Sequence, residues 1–145
     1  MVILKQFILS FLSTICFSVL FSIPRDCIAK SGFIGALGWV TLYINSKFLN
    51  STIAGTFFAA VTVGILGELF ARYYKKPATV FIIPGIIPLV PGAGMYYTML
   101  FLIEKDFLLA ATKGTETLFI AAAISIGIIL STSLSRSIKR VKHKG

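Results

Sequence analysis

Side chains able to do chemistry stand at few positions in this chain. Glu68 and Arg72 are four residues apart, which puts them on one helical face with the acid N-terminal to the base, the favoured order for a helical pair. After them comes Pro84-Gly85-Ile86-Ile87-Pro88-Leu89-Val90-Pro91-Gly92-Ala93-Gly94, with three prolines and three glycines. An interior proline removes a backbone hydrogen bond and costs about 3 kcal/mol, so this run is expected to break a helix and leave N–H and C=O groups free to meet a ligand. Catalytic constellations are not evident. The one histidine, His143, lies in a basic C-terminal stretch, no acid pair falls within an apolar run, and no spacing suits a metal. Cys16 and Cys27 fall in different segments and read as free thiols. No enzyme, cofactor or metal site is expected.

The elements that must position these residues follow from where charge is absent. Of 145 residues only 19 are charged, 14 basic and 5 acidic, and 57% are apolar, with a net charge of +9. Mean hydropathy is +0.92, whereas a soluble domain would be about one-quarter charged. Uncharged runs cover residues 6–24, 31–46, 48–67, 77–103 and 117–135, of 19, 16, 20, 27 and 19 residues. A bilayer core needs roughly 20 helical residues, within a range of about 17 to 25. Five spans fit, the second slightly short. The expected fold is an all-α integral membrane protein of about five transmembrane helices, the fourth broken between Pro84 and Gly94. It forms a single transmembrane domain over residues 1–145 with a short basic cytoplasmic tail, 136–145. Lys5 and the apolar stretch after it resemble the front of a secretory signal, but Ser22-Ile23-Pro24-Arg25-Asp26 offers no small-x-small cleavage site.

Basic residues fall unevenly on the two sides of such a bundle. Lys5, Lys47, Lys105 and Lys113 share one side; Arg25, Lys30, Arg72, Lys75, Lys76, Arg136, Lys139, Arg140, Lys142 and Lys144 share the other. That bias places the C-terminus in the cytoplasm and the N-terminus outside. The positive charge is then a topology signal, and the tail suits anionic lipid headgroups, with no role in nucleic-acid binding. Small residues recur at helical spacing: Gly32, Gly35 and Gly38; Gly55, Ala59, Ala60, Gly64, Gly67 and Ala71; Ala123 and Gly127. Lipid gives helices no hydrophobic reason to associate, so close approach through small residues is expected to hold the bundle together. Tyr73 and Tyr74 beside Lys75 and Lys76 read as an interfacial belt, and Trp39, mid-span, as packing.

A broken helix at membrane depth survives only where protein or a water-filled cavity covers it. Transporters use such breaks to build a site near the midplane. The run reads as a substrate or gating element, or else as a merely kinked span or a proline-rich loop dipping into the interface. Two readings stand for Glu68 and Arg72: an ion pair anchoring the third span, or a guide for an anionic group (Arg72) beside a possible proton-coupling site (Glu68).

The order Glu68, Ala71-Arg72, Pro77, then Pro84-Gly85-Ile86-Ile87-Pro88-Leu89-Val90-Pro91-Gly92 and Tyr96 resembles the signature of the threonine/serine exporter family, and more narrowly the small half-length subunit of its two-chain form. The resemblance is carried by residues 68–97. It implies a multi-pass exporter in the bacterial cytoplasmic (inner) membrane acting on small carboxylate-bearing metabolites, threonine- or serine-like amino acids or dicarboxylates such as succinate, driven by the proton gradient. It also implies a larger partner subunit carrying the other half; homo-oligomerisation is the competing way to enclose a pathway.

On this reading the substrate pathway comprises Arg72, Pro84, Gly85, Pro88, Pro91, Gly92, Gly94 and Tyr96. Arg72 concentrates anions at the cytoplasmic mouth, and N–H groups near Gly92, Ala93 and Gly94 meet the substrate carboxylate. A passive channel and a non-transporting scaffold or assembly protein are the alternatives. The first needs no coupling group at Glu68, and the second needs no broken span.

Overall fold

The computed structural model describes the backbone of residues 2–142 and the side chains of residues 2–135. The basic tail of 136–145, with His143, therefore lies outside the residues whose side chains are described. Six α-helices follow in order: α1 (Val2–Leu20), α2 (Arg25–Leu49), α3 (Thr52–Tyr74), α4 (Thr79–Ile86), α5 (Gly92–Ile103) and α6 (Phe107–Lys142), with a 3₁₀ turn at Ile87–Leu89 between α4 and α5. Among the described residues there is no strand. Four helices are long and apolar enough to cross a membrane, and α4 with α5, bent by 50°, meets the same measure as a pair and makes a fifth, broken span where the two are counted as one.

The second span is not short. Its helix continues through Arg25, Asp26, Lys30 and Lys47 to 25 residues, because long basic side chains near helix ends can lay their stems along apolar surface and reach outward with their charge. Both lysines rest on aromatic rings: Lys30 Nζ lies 3.6 Å from the centre of the Tyr74 ring and Lys47 Nζ 4.7 Å from that of Tyr43. In the same way α6 starts ten residues before the uncharged run, with Lys113 and Glu116 paired at 2.9 Å on its exposed surface.

Polarity is arranged inside out. The fully buried side chains of α1 are Ser10, Thr14 and Ser18, while Leu4, Leu9, Leu12 and Leu20 face outward. Each hydroxyl donates to a carbonyl: Ser10 to Gly35 at 3.2 Å, Thr14 to Ser10 at 2.8 Å and Ser18 to Thr14 at 2.7 Å. A soluble helix would turn the opposite face inward, so lipid is the surrounding this surface fits.

The small residues lie where the helices touch, as the sequence spacing implied. All of Gly32, Gly35, Gly38, Gly55, Ala59, Ala60, Gly64, Gly67, Ala71, Ala123 and Gly127 are buried. At the α3–α6 contact a Cβ on Gly127 would come within 2.8 Å of the Ala60 Cβ and 3.0 Å of the Phe57 carbonyl, which is backbone and cannot turn aside. The core between α2, α3 and α4 is built on Ile34, Val63 and Phe81.

The break is narrower than the Pro84–Gly94 run suggested. Helix α4 passes through Pro84 and continues to Ile86; the irregular backbone is confined to Ile87–Pro91. Each proline leaves the carbonyl four residues earlier without its usual donor, and in each case another donor is present. For Pro84 it is the Ser31 hydroxyl of α2, which reaches the Val80 carbonyl at 3.2 Å and is shared with Cys27 O at 3.0 Å. For Pro88 it is the N–H of Ile87, which donates to Pro84 O. For Pro91 it is the N–H of Val90, which donates to Ile87 O at 3.2 Å.

Two outcomes follow for the purified protein in detergent. Ser31→Ala is expected to cost about 1–3 kcal/mol by orphaning a buried carbonyl, and less in a Pro84→Ala background, where the new N–H supplies the donor; equal losses in thermal melts of both backgrounds would exclude the Ser31–Val80 bond. A Cβ on Gly92 would meet nothing within 4 Å, whereas one on Gly94 would press on Thr117 of α6, whose hydroxyl is held by Lys113 O at 2.7 Å. Gly94→Ala is thus expected to melt below Gly92→Ala by about 1 kcal/mol or more; coincident melts would remove Gly94 from the α5–α6 contact.

Candidate substrate site at the broken helix

The break lies at half the height of the bundle. A Cβ on Gly85, just before it, would be 3.0 Å from Val63 and 3.2 Å from Ile34, residues near the middles of α3 and α2. Leu89, inside it, is only 3% exposed. At the turn, Gly92 N–H donates to Val90 O at 2.8 Å and Met95 N–H to Pro91 O at 3.1 Å, and Pro91 caps α5 without a side-chain hydrogen bond. Among the described residues no hydrogen bond reaches the carbonyls of Pro88 and Leu89, and none leaves the N–H groups of Ala93 and Gly94. Two acceptors and two donors of the main chain are therefore open at the break.

Beside Pro88 lies a cleft of about 210 Å³, lined also by Gln6, Leu9, Ser10 and Ser13 of α1 and by Trp39 of α2. Trp39 fills the packing position expected of it, against the core, and also donates from Nε1 to Gln6 Oε1 at 2.7 Å. No charged side chain lines this cleft. Its polar groups are an amide, two hydroxyls and the indole N–H.

The residues singled out in the sequence fall into three groups. Pro84 and Gly85 are buried in the α2–α3–α4 packing, while Pro88 faces the cleft. Pro91 is half-buried at the turn and Gly92 is exposed; Gly94 packs on Thr117, and Tyr96, 64% exposed, points outward beside Tyr97. Arg72 and Glu68 form the third group, near the far end of α3. They do not pair directly: Arg72 donates to the carbonyl and hydroxyl of Ser135 on α6, and the Ser135 hydroxyl donates to Glu68 at 3.3 Å. Both side chains turn toward α6, so its serine bridges them. Gly67, adjoining Glu68, meets Ile82 of α4, and the six residues from Ile82 to Pro88 span roughly 9 Å of helical rise. Arg72 and Glu68 are thus near one end of the bundle, apart from the break.

The share of α1 in the site was missed by reasoning that centred on prolines and glycines. The signal was present: Gln6 is the one amide in the uncharged run 6–24, and Ser10, Thr14 and Ser18 repeat every four residues, which marks one inward-facing hydroxyl stripe. Helix α5, by contrast, has no buried residue and packs chiefly on α6.

Comparison with known proteins bears on this arrangement. A relative from Corynebacterium glutamicum named "Threonine/serine exporter" is 27% identical over 110 residues, which are 76% of this chain and 22% of that protein. The chain thus matches about a fifth of the relative's length. No solved structure matches it. The family model described as "Threonine/Serine exporter, ThrE" matches residues 6–134, nearly the whole chain and every element from α1 to the described part of α6. The chain belongs to the threonine/serine exporter family and is a membrane protein of helical spans with a broken fourth span.

Proposed function

We propose that this chain is one subunit of a proton-coupled exporter in the bacterial cytoplasmic membrane. It moves small carboxylate-bearing metabolites, threonine- or serine-like amino acids or dicarboxylates such as succinate, and acts with a larger partner subunit that supplies the rest of the pathway. The observation that carries this reading is open main-chain hydrogen-bonding capacity at mid-height of an otherwise helical bundle, next to a polar cleft. Free backbone groups at that depth are tolerated only where they line a cavity or are covered by protein, and broken helices near the midplane are where secondary transporters bind substrate. Family membership supports export as the activity.

In this mechanism Arg72 and Glu68 stand at the cytoplasmic mouth. Arg25, Lys30, Arg72, Lys75 and Lys76 lie at the same end of the helices, opposite Lys5, Lys47, Lys105 and Lys113, and the richer end faces the cytoplasm by the positive-inside rule. Arg72 raises the local concentration of an anionic solute. The solute carboxylate then reaches the N–H groups of Ala93 and Gly94, at the start of α5, where the helix dipole favours negative charge. Glu68, bridged to Arg72 by Ser135, takes up and releases the coupling proton.

The test is efflux of threonine, serine or succinate from loaded cells carrying the chain with its genomic neighbours, at matched membrane abundance. Pro88→Ala, Gly92→Leu and Arg72→Gln are each expected to lower the initial rate by about tenfold, the usual scale for loss of one positioned contact. Gly92→Leu is informative because a Cβ at this position meets nothing within 4 Å. Wild-type rates in all three variants would overturn the site assignment, and uphill export that survives Glu68→Gln would remove Glu68 from coupling.

A further inference from the structure

We propose that Gln6 and Ser13 of α1 form an uncharged donor subsite for the carboxylate of the exported solute, and that Trp39 is the positioning residue that orients the Gln6 amide toward it. The inference rests on the export reading above and gives the carboxylate a second, separate station, on a helix outside the broken span and away from the Ala93 and Gly94 N–H groups at the start of α5.

The argument starts from which groups remain available. An indole N–H can only donate, so the 2.7 Å contact from Trp39 Nε1 fixes the acceptor end of the Gln6 amide against Trp39. The other end, Nε2 with two N–H donors, makes no hydrogen bond among the described residues. Ser13 is half-buried and its hydroxyl likewise makes none. Ser10, between them, is occupied as a donor by Gly35 O at 3.2 Å. Four residues along α1 and one on α2 thus converge on a cleft in which Gln6 Nε2 offers two open N–H groups and Ser13 an open O–H. A ligand with acceptor oxygens meets these three donors.

The position narrows it further. Pro88 forms one wall of the same cleft, so a group held here touches the first residue of the irregular backbone whose carbonyl is open. A carboxylate gripped by Gln6 and Ser13 would leave an ammonium or hydroxyl on the same solute free to meet the Pro88 carbonyl, an acceptor. Donors on one side and an acceptor on the other match an amino acid. Because the donors are neutral, the bound carboxylate is not locked to a fixed cation, and release is not opposed by a full ion pair. Removing the Trp39 N–H would let the amide turn over and present its oxygen to the carboxylate.

The experiment measures initial efflux against internal concentration for threonine and succinate in cells carrying the full chain and its genomic neighbours. Gln6→Leu and Gln6→Glu are expected to raise the half-saturation concentration by about tenfold or more, with the maximal rate changed less than about twofold. Ser13→Ala is expected to raise it severalfold. Trp39→Phe, which keeps an aromatic ring and loses only the N–H, is expected to act in the same direction, and a fall in maximal rate alone would mark Trp39 as structural. Unchanged half-saturation in Gln6→Leu and Trp39→Phe while the wild type exports overturns the subsite and leaves the export reading intact. If the wild type moves neither probe, the export reading fails, and cysteine labelling then decides the cleft. In a Cys16→Ala background, with Cys27 only 1% exposed, Ser13→Cys in membrane vesicles is expected to react with a charged methanethiosulfonate at least about tenfold faster than outward-facing Leu12→Cys, and to be slowed by millimolar threonine. Equal rates at the two positions, or labelling at Ser13→Cys that threonine leaves unchanged, overturn the proposal by a route independent of transport.

Discussion

A main-chain carbonyl in the middle of a membrane has no water to turn to, and a proline four residues later withholds the donor it would have had. The central part of this fold is arranged around that constraint. Val80 O, Pro84 O and Ile87 O would each be left open by Pro84, Pro88 and Pro91, and each receives another donor. Only the first is long-range. The Ser31 hydroxyl must be brought to Val80 from α2, which requires α2 and α4 to pack closely, and the Gly85 contacts with Ile34 and Val63 show how closely they do. Once α4 is held there, the remaining irregularity is pushed past Ile86, to the level where Pro88 opens on the cleft. The location of the candidate site is thus a consequence of which proline is repaired and which backbone groups beyond it are not.

The same scarcity of water explains the inverted polarity of α1. Apolar side chains gain little by leaving lipid for a protein interior, so α1 and α2 are joined by close contact and by the Ser10 hydroxyl's bond to Gly35 O, of a kind worth well under 1 kcal/mol on average. Such bonds are weak one at a time. The Thr14 and Ser18 hydroxyls return to carbonyls of α1 itself, so no buried hydroxyl is orphaned on that face, and the bond that crosses, from Ser10 to Gly35 O, sets how α1 is turned toward α2. That rotation is what carries Gln6 and Ser13 to the cleft.

Much of the fold could be read from the chain because membrane depth imposes a length on every span and small residues mark every contact. The spans, the packing glycines and the existence of a break all follow from such local rules. What could not be read depends on partners distant in sequence. Pro84 looks like a helix breaker until Ser31, 49 residues before Val80, is brought to the freed carbonyl. Glu68 and Arg72 look like an ion pair until Ser135, more than 60 residues on, comes between them. Charged helix ends hid the true length of α2, since a count of uncharged residues stops at Lys30 and Lys47 although both rest their charge beside aromatic rings. Within the site, Pro88 was legible from its type, whereas Gln6 and Trp39 acquire meaning only from their contact with each other.

The pairing constraint also bears on what must lie beside this chain. Helices α1, α2 and α3 cover one side of the break, and Leu89 is enclosed there. On the other side α5 turns away by 50° to pack on α6, leaving Gly92 and Ala93 exposed, the Ala93 N–H without a backbone partner and no residue of α5 buried. Against lipid, each open N–H or C=O in that region would cost several kcal/mol. A water-filled path relieves this cost only if its far wall is also protein, because a path open sideways to lipid is not a path. The far wall cannot come from α6, which is already engaged with α3 and α5. The proposed partner subunit therefore belongs against the α5 side of the break, where its presence would complete the coverage of the main chain.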